Sequence, residues 1–298
     1  MRFIDSNYEI IEQTSGLIGV YKQIERAART AYKSEDKIVE DSASKMVDAL
    51  CKSNHGAALE HGTIYLMLSY DVSAIGSYQK SGIQKYVDNP YSEVVFSDTL
   101  SFNYAYITTN ARVIFENGWQ DDLKYMCEPT PHHKKRITVK FITSIGIVRE
   151  ILRHRKFSFL NESTRYCNYS KDKFDNQLTF INPYWINNPY LKNKQNVSIW
   201  KENLERCEKD YNYLISECKL KPEEARGILP LDLKSELVVT GFIGDWIHFF
   251  RLRSHIAATG KPHPDIQKLA DPLMQEFIDR GYCTYEEIKT TLFKTELL

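Results

Sequence analysis

The sequence lacks the patterns that mark several common enzyme classes. None of its 13 glycines belongs to a GxGxxG or GxxxxGK[ST] run, which excludes the phosphate-binding loops of Rossmann and P-loop nucleotide sites. Its six cysteines form no CxxC pair, so neither a zinc ribbon nor a thioredoxin-like redox site is indicated. No stretch approaches the roughly 20 apolar residues that cross a bilayer.

The chain also lacks an excess of charge of either sign. Lys and Arg total 39, and Asp and Glu total 39, so no global basic field draws the protein to nucleic acid or to a membrane. An RNA-binding or regulatory module is further disfavoured because RRM- and KH-type signatures are absent. The segment MRFIDSNYEI lacks the apolar run of a signal peptide. These absences predict reduced thiols, a cytoplasmic location and, if an anion is bound, a local site.

Apolar periodicity predicts an α+β fold. The segments TIYLMLSY, RITVKFIT and KSELVVTG combine β-branched and aromatic residues with partial alternation, which is typical of strands. Apolar residues at three- and four-residue steps and helix-start signals predict helices elsewhere. The predicted helices lie near 15–33, 40–54, 143–155, 197–219, 222–229, 244–254 and 264–280.

The run RHRKFSFLNESTRY, residues 153–166, holds the densest cluster of functional side chains. The predicted helix 143–155 carries the RHR triplet at its C-terminal end, with Arg149 and Arg153 on one face. The polar residues that follow, from Ser158 to Tyr166, are expected to form an ordered loop. Guanidinium groups beside hydroxyls suit phosphate or carboxylate, although an arbitrary arginine cluster is more often a set of surface ion pairs.

The spacing of this run resembles the signature of the flavin-dependent thymidylate synthases: RHR, seven residues, then Ser163, Arg165 and Tyr166. Two further landmarks agree. NHGAALEHGTIYLML resembles the family's HxxxxEH element, and ARGILPLDLKSELVVTG resembles its ARxxLP stretch before a strand. The three landmarks span residues 55–253, and weaker similarity extends to RAARTAY and to HPDIQKLADPL, so most of the chain is covered.

The resemblance implies an enzyme that converts dUMP to dTMP, with methylenetetrahydrofolate as one-carbon donor and NADPH as reductant. Reduced FAD delivers the hydride and no enzyme cysteine acts as nucleophile. It also implies one α+β domain over 1–298, with mixed helices and antiparallel sheet rather than a Rossmann arrangement. The family assembles as homotetramers that bind FAD at subunit interfaces. The open alternative is a flavin- or nucleotide-binding protein without synthase activity.

The resemblance also assigns residue roles, position by position. It implies cofactor contacts for His55, Glu60, Arg153, His154, Arg155 and His248. It implies substrate contacts for Glu150, Asn161, Ser163, Arg165, Arg226 and Arg253, of which Ser163, Arg165 and Arg253 are the expected catalytic residues. Glu60 is expected to orient His61 or to support the flavin.

Several positions depart from the family pattern. Asn161 stands at the usual glutamate position, and a neutral amide cannot act as a carboxylate base. Glu150 stands where some members have glutamine, and its charge needs neutralising by Arg149 or Arg153. Residues Phe242, Gly244 and His248 replace polar positions that help to hold FAD in compact members.

Two other chemistries are disfavoured. A metal site is not expected, because HxxxxEH lacks the HExxH spacing and converging arginines repel a divalent ion. No cysteine has a Pro-Cys-His context, and Cys167, which alone lies near cationic residues, is expected to pack behind Tyr166. A nucleophilic role for Ser163 lacks a base nearby in the sequence.

The segment from about 70 to 136 looks like an insertion relative to compact members of the family. It is rich in Tyr, Asn and Ser and ends in the basic run HHKKR. A peripheral helical elaboration with a solvated basic turn is the favoured interpretation, since insertions are easily tolerated. The alternative is that TTNARVIFENG lines a substrate channel.

Overall fold

The computed structural model describes residues 1–70, 82–98, 103–256 and 260–289. The strands are β1 (Arg2–Ile4), β2 (Asn7–Ile11), β3 (Thr63–Ser69), β4 (Glu93–Asp98), β5 (Asn103–Asn110), β6 (Arg136–Ser144), β7 (Ser158–Asn161), β8 (Thr179–Ile181) and β9 (Lys234–Phe242). The helices are α1 (Gly16–Tyr32), α2 (Ser42–Lys52), α3 (Gly56–Leu59), α4 (Gln84–Val87), α5 (Ala111–Glu116), α6 (Ile145–Ile151), α7 (Lys194–Ser216), α8 (Pro222–Ala225), α9 (Ile243–Arg253), α10 (Pro264–Asp279) and α11 (Tyr285–Lys289). Mixed helices and sheets, antiparallel except for the parallel pair β1-β8, confirm the predicted α+β class.

A four-stranded antiparallel sheet, in the order β2-β6-β9-β7, organises the residues of interest. Residues directly opposite each other in an antiparallel pair share a face of the sheet. One face is apolar and packs against α9 and α10 through Phe141, Val239 and Trp246. This burial of large aromatic side chains is a main source of stability for the C-terminal half of the chain.

The opposite face of the same sheet lies against α1 and mixes apolar side chains with an unusual number of buried polar ones. Along β6 it carries Arg136, Thr138 and Lys140, and across the register it carries Thr240 and Glu236 from β9. All but Lys140 are at least nine-tenths buried. Buried polar groups need partners, so this face is expected to be a hydrogen-bonded network rather than a conventional core.

A second sheet, in the order β3-β5-β4, forms a separate core with α1, α2 and α5. Strand β5 pairs along the whole of β3, and its Ala105 and Ile107 are fully buried. The interpretation of 70–136 as a peripheral helical elaboration is therefore wrong for residues 103–110, although residues 71–81 and 99–102 lie outside the described part. A single sequence does not show that TIYLMLSY finds its pairing partner in this segment, because strand pairing is a tertiary property.

Short polar side chains mark where several helices begin. Asn110, Ser144 and Asn193 each accept a hydrogen bond from the backbone NH three residues later, at 3.1, 3.3 and 2.7 Å. These caps satisfy donors that the first helical turn leaves unpaired. In the described part of the chain, no helix is long and apolar enough to cross a membrane.

The predicted helix 143–155 is too long. The observed helix spans Ile145–Ile151, and the RHR triplet lies in the turn that follows. Arg149 and Arg153 therefore do not share a helical face. The predicted loop from Ser158 onward begins instead as strand β7, which pairs Ser158 with Thr240 and Asn161 with Leu237. The chain must reverse after Ile151 to reach the edge of the sheet, and this tertiary pairing overrides the local helical pattern.

Candidate active site

The loop that follows β7 presents Ser163 from a fixed backbone. Its NH donates to the carbonyl of Ala31 in α1 at 2.9 Å, and its carbonyl accepts from the NH groups of Tyr166 and Cys167 at 3.1 and 2.9 Å. The Ser163 Oγ accepts a hydrogen bond from the NH of Arg165 at 3.3 Å. Ser163 is therefore held in a tight turn, and no side-chain base contacts its hydroxyl within the described residues.

Two arginines lie beside this turn. Arg165 is exposed and donates from Nε and Nη2 to Glu223 Oε2, at 3.2 and 3.0 Å. Arg226, also exposed, donates from Nη1 to Thr164 Oγ1 at 3.4 Å. We call Ser163, Arg165 and Arg226 the loop cluster. Its two guanidinium groups and one hydroxyl form a surface suited to a phosphate.

The helix predicted at 222–229 is present as a short helix followed by a 3₁₀ turn that carries Arg226. Helix α8 begins at Pro222, whose fixed φ suits a first helical position, and the Glu224 carboxylate accepts from the NH of Lys221 at 2.7 Å. A 3₁₀ turn, Arg226–Ile228, follows directly, and Pro230 lies just beyond it. This construction fixes the base of the Arg226 side chain.

Exposed aromatic rings adjoin the loop cluster. The rings of Tyr32 and Tyr166 lie 5.1 Å apart, and the Arg165 guanidinium lies 5.3 Å from the centre of the Tyr166 ring. Both tyrosines are exposed. Rings at such a position offer a planar surface for a nucleotide base or a flavin.

A second group forms where α9 ends beside α6, and we call Glu150, His154 and Arg253 the helix-end cluster. Arg253 donates from Nη1 to Glu150 Oε2 at 3.0 Å, from Nη2 to the Glu150 carbonyl at 3.2 Å, and from Nε to His154 Nε2 at 3.1 Å. Because arginine donates only, His154 Nε2 must be unprotonated. Arg253 therefore fixes a neutral imidazole with its proton on Nδ1.

The environment of His154 supports the same protonation state. Burial, the Arg253 charge and the nearby His248 and Arg153 lower the pKa of His154 to about 4. The His154 ring packs 5.1 Å from that of Phe249 and 6.0 Å from that of His248. His154 is thus a neutral hydrogen-bonding group at physiological pH.

Arg253, not Arg149 or Arg153, neutralises Glu150. The expectation about the partner of this carboxylate is therefore wrong, because α9 brings its terminal arginine across to α6. Arg153, Arg155 and His248 lie exposed around the helix-end cluster. Within the described residues neither Arg153 nor Arg155 forms an ion pair, so both guanidinium groups are open to an anionic ligand.

The HxxxxEH element separates into three environments. His55 is exposed at the start of α3. The Glu60 carboxylate accepts from Arg112 Nη1 at 2.6 Å, whereas His61 Nδ1 lies 2.8 Å from Thr240 Oγ1. The expectation that Glu60 orients His61 is therefore wrong, since Thr240 makes that contact. Burial and the charge of Arg136 lower the pKa of His61 to about 3.

Asn161 faces the apolar side of the sheet. Its Oδ1 accepts from Ser235 Oγ at 2.9 Å, on a face that also carries Phe159. The next residue, Glu162, is fully buried and contacts Lys234 and Tyr169. Glu162, which follows the position where the family usually has glutamate, thus makes only internal contacts with both of its carboxylate oxygens.

Cys167 is fully buried, in agreement with the expected packing role. Burial and the charge of Glu162 raise the pKa of its thiol to about 11. A thiol with this pKa is protonated at neutral pH and is a poor nucleophile.

The structure brings the expected site residues into two groups rather than one. Arg253 joins His154 and Glu150, while Ser163, Arg165 and Arg226 lie together elsewhere. No hydrogen bond or ion pair between described residues links the two clusters. Sequence reasoning did not identify Glu223, Thr164 or Tyr32 beside the loop cluster, because nothing in their local pattern indicates these long-range contacts.

Comparison with known proteins gives a family match. The sequence profile described as "Thymidylate synthase complementing protein" (Thy1) matches residues 105–280. A flavin-dependent thymidylate synthase from Synechocystis sp. is 28% identical over 139 residues, which cover 44% of this chain and 61% of that protein. A probable flavin-dependent thymidylate synthase from Paramecium bursaria Chlorella virus 1 is 30% identical over 146 residues, which cover 44% and 62%. The chain thus matches about three fifths of the length of these curated relatives.

Solved structures show a weaker likeness. A UMP/dUMP methylase, PolB from Streptomyces cacaoi, bound with 5-Br dUMP, is 17% identical with a TM-score of 0.45, covering 94% of this chain and 93% of that chain. The same methylase bound with 5-Br UMP gives a TM-score of 0.44 at 17% identity, covering 94% of this chain and 92% of that one.

Proposed function

Because the chain belongs to the family of thymidylate synthase complementing proteins, we propose that it is a flavin-dependent thymidylate synthase of the cytoplasm. It converts dUMP, methylenetetrahydrofolate, NADPH and a proton to dTMP, tetrahydrofolate and NADP. The observation that carries the proposal is the loop cluster, in which the signature residues Ser163 and Arg165 lie beside Arg226 of the ARxxLP stretch.

The loop cluster binds the nucleotide phosphate in this proposal. Arg165 and Arg226 supply permanent positive charge, and the Ser163 hydroxyl supplies one further hydrogen bond. The carboxylate of Glu223 must leave Arg165 for a phosphate to take its place. Because both partners of that pair are exposed, their separation is inexpensive.

Exposed residues outside the helix-end cluster have the charge and hydrogen-bonding groups that suit a flavin. The open guanidinium groups of Arg153 and Arg155 match the two negative charges of a pyrophosphate, and His55 and His248 are exposed donors or acceptors. We propose that these four residues hold FAD together with His154. Glu60 contributes through its Arg112 partner rather than as an unpaired carboxylate. Bound flavin would supply the redox chemistry that takes electrons from NADPH.

Arg253 is the proposed catalytic cation. Contacts to His154 and Glu150 hold its guanidinium in one orientation, and the last turn of α9 favours a cation there. A preorganised cation stabilises negative charge that develops on a uracil ring. Glu150 keeps that guanidinium in place, which is the substrate-related role we assign to it. By resemblance, we also propose that Asn161 contacts the substrate, through an amide that can only hydrogen-bond.

Separation of the two clusters suggests that a complete site needs more than one subunit. We propose a homotetramer in which the loop cluster of one subunit faces the helix-end cluster of another. Residues 1–298 would then form one domain per subunit, with the insertion at about 70–136 retained as part of it. Mixing inactive Arg165→Ala and Arg253→Ala subunits should restore activity if the two arginines of a site come from different subunits. No recovery after verified subunit exchange would contradict shared sites.

The second candidate is a flavin- or nucleotide-binding protein without synthase activity. The observation that favours it is Asn161, a neutral amide already bonded to Ser235 where the family usually has glutamate. Both candidates predict bound flavin, so flavin alone does not separate them.

The first experiment on this proposal identifies the bound flavin and measures dUMP binding. Flavin released from the purified protein is identified by chromatography as FAD or another flavin, and dUMP binding is measured by calorimetry. Wild type should bind dUMP, and Arg226→Ala should weaken binding about tenfold or more, as expected for loss of a charge-assisted contact. Oxidation of NADPH by the flavin-loaded protein tests the reductant. Absence of both flavin and dUMP binding would reject the synthase and the second candidate together.

A further inference from the structure

Glu162 is a fully buried carboxylate next to the loop cluster. Its Oε2 lies 2.8 Å from Lys234 Nζ, and its Oε1 accepts a hydrogen bond from the Tyr169 hydroxyl at 2.9 Å. A buried charge is costly unless it is paired and hydrogen-bonded. Both carboxylate oxygens have a strong partner, so the conformation of Glu162 is closely defined.

These contacts close a loop. Glu162 precedes residues 163–168, and Tyr169 follows them, so their hydrogen bond joins the two ends of the segment that carries Ser163 and Arg165. Tyr169 is itself held by packing, with its ring 5.0 Å from that of Phe174. The hydrogen bond therefore fixes the distance between the two ends of the loop, and both ends are themselves held in place.

The entrance to the loop is anchored to β9 and α1. The NH of Glu162 donates to the Glu236 carbonyl at 2.8 Å, and the Glu236 carboxylate lies 2.7 Å from Lys234 Nζ and 2.8 Å from Lys33 Nζ. Lys33 is the residue that follows α1 and has φ 49, in the left-handed region that favours glycine. It lies two residues beyond Ala31, whose carbonyl accepts from the NH of Ser163.

The charge balance of this network is also well defined. Burial alone would raise the pKa of Glu236, but Lys234, Lys33 and Lys140 lower it to about 2. The carboxylate is therefore ionised at neutral pH, as its three lysine neighbours require. A network satisfied in this way stiffens its surroundings.

We propose that Glu162 and Tyr169 are positioning residues, whose hydrogen bond, oriented by Lys234, holds the 163–168 loop in the conformation that presents Ser163 and Arg165 to an anionic ligand. The identity of that ligand as dUMP rests on the proposed function. Preorganised contacts bind a phosphate more tightly because ligand binding does not have to order the loop. Neither residue needs to touch the ligand.

Removal of one hydroxyl tests the proposal. Tyr169→Phe deletes the donor to Glu162 while leaving the aromatic ring in place. Tyr86→Phe is the matched control, because Tyr86 is also buried and donates to a carboxylate, Asp122, at 2.6 Å, but it lies in the core beside the β3-β5-β4 sheet. Both variants are expected to lower the melting temperature.

Two readouts distinguish positioning from general stability. In Tyr169→Phe, hydrogen exchange of the amides of Ser163, Tyr166 and Cys167 should accelerate, and the Kd for dUMP should rise at least about fivefold, the scale of one typical hydrogen bond. Tyr86→Phe should change neither. Equal effects in the two variants, or no effect in Tyr169→Phe, would overturn the proposal.

Lys234→Met and Lys140→Met give a second matched pair. Both remove a partly buried lysine from Glu236, with Lys140 Nζ 2.5 Å from its Oε2, but only Lys234 also contacts Glu162. Loop exchange and dUMP affinity should change more for Lys234→Met, and equal changes would count against the proposal. If wild type binds no dUMP, the proposed function fails, whereas hydrogen exchange still decides whether Glu162 and Tyr169 hold the loop.

Discussion

Arg165 places both Nε and Nη2 against one oxygen of Glu223, at 3.2 and 3.0 Å. The two residues are 58 positions apart, and helix α8 brings the carboxylate to the loop. A carboxylate in this position makes the contacts that a phosphate oxygen would make. Glu223 thus competes with any anion that binds to Arg165.

Glu223→Gln should therefore strengthen dUMP binding. Loss of the negative charge releases Arg165, and the expected gain is about two- to fivefold because exposed ion pairs are weak. Calorimetric titration with dUMP measures it. Glu224→Gln is the control, since it removes the same charge from the same helix without touching Arg165. Equal gains in both variants would show a general field effect instead of competition.

Arg253→Lys should lower kcat/KM about tenfold or more, because an ammonium cannot reproduce the forked contacts of a guanidinium. Arg251→Lys is the matched control, because it makes the same substitution in the same helix. Arg251, however, donates to the backbone carbonyls of Ile288 and Glu287. It should cost stability while leaving the turnover of folded protein near that of wild type. Similar losses of kcat/KM in the two variants would contradict the assignment of Arg253.

Acid should destabilise the protein through His61. Its pKa is about 3 in the folded chain, against an ordinary value near 6.5, so between these pH values the unfolded chain binds a proton that folded His61 does not. The free energy of unfolding should fall as pH drops below 6.5, by up to about 2–3 kcal/mol at pH 4.5 from this residue. Urea unfolding at pH 7, 6 and 5 should show a shallower dependence for His61→Gln. Parallel pH profiles would rule this contribution out.

Gly241 in β9 packs against Phe157, and a Cβ there would lie 2.2 Å from the ring atom Cδ1. Gly241→Ala should therefore lower the free energy of unfolding by about 1–3 kcal/mol, the range for an overpacked core. At Gly244 no atom lies within 4 Å of the corresponding position, so Gly244→Ala should be neutral or slightly stabilising. Urea unfolding compares the two variants, and comparable losses would contradict the packing explanation.

The sequence correctly predicted the helices and strands whose hydrophobic pattern lies within their own residues. Strands β3, β6 and β9 lie where alternation and β-branched residues indicated them, and α1, α2, α7 and α10 lie within a few residues of their predicted bounds. Strands β5 and β7 were missed because each depends on a partner strand elsewhere in the chain. The over-long helix 143–155 has the same origin, since the reversal after Ile151 serves the pairing of Ser158 with Thr240.

The site shows a similar division. Motif spacing identified Ser163, Arg165, Arg226 and Arg253 as residues of interest, but it did not reveal that Arg253 contacts Glu150 and His154. That contact spans 103 positions between Arg253 and Glu150. Charge pairs such as Arg165 with Glu223 leave no local pattern, so they become visible only after the chain has folded.

Turnover is the most direct measurement of the proposed activity. Purified protein is incubated with FAD, NADPH, methylenetetrahydrofolate and dUMP, and dTMP is measured by mass-resolved chromatography, with Arg165→Ala as control. Wild type should produce dTMP, no dTMP should form when any one substrate is omitted, and Arg165→Ala should produce little or none. Wild type that retains flavin and binds dUMP but makes no dTMP would contradict the synthase assignment and favour a binding protein in which Asn161 has replaced a required carboxylate.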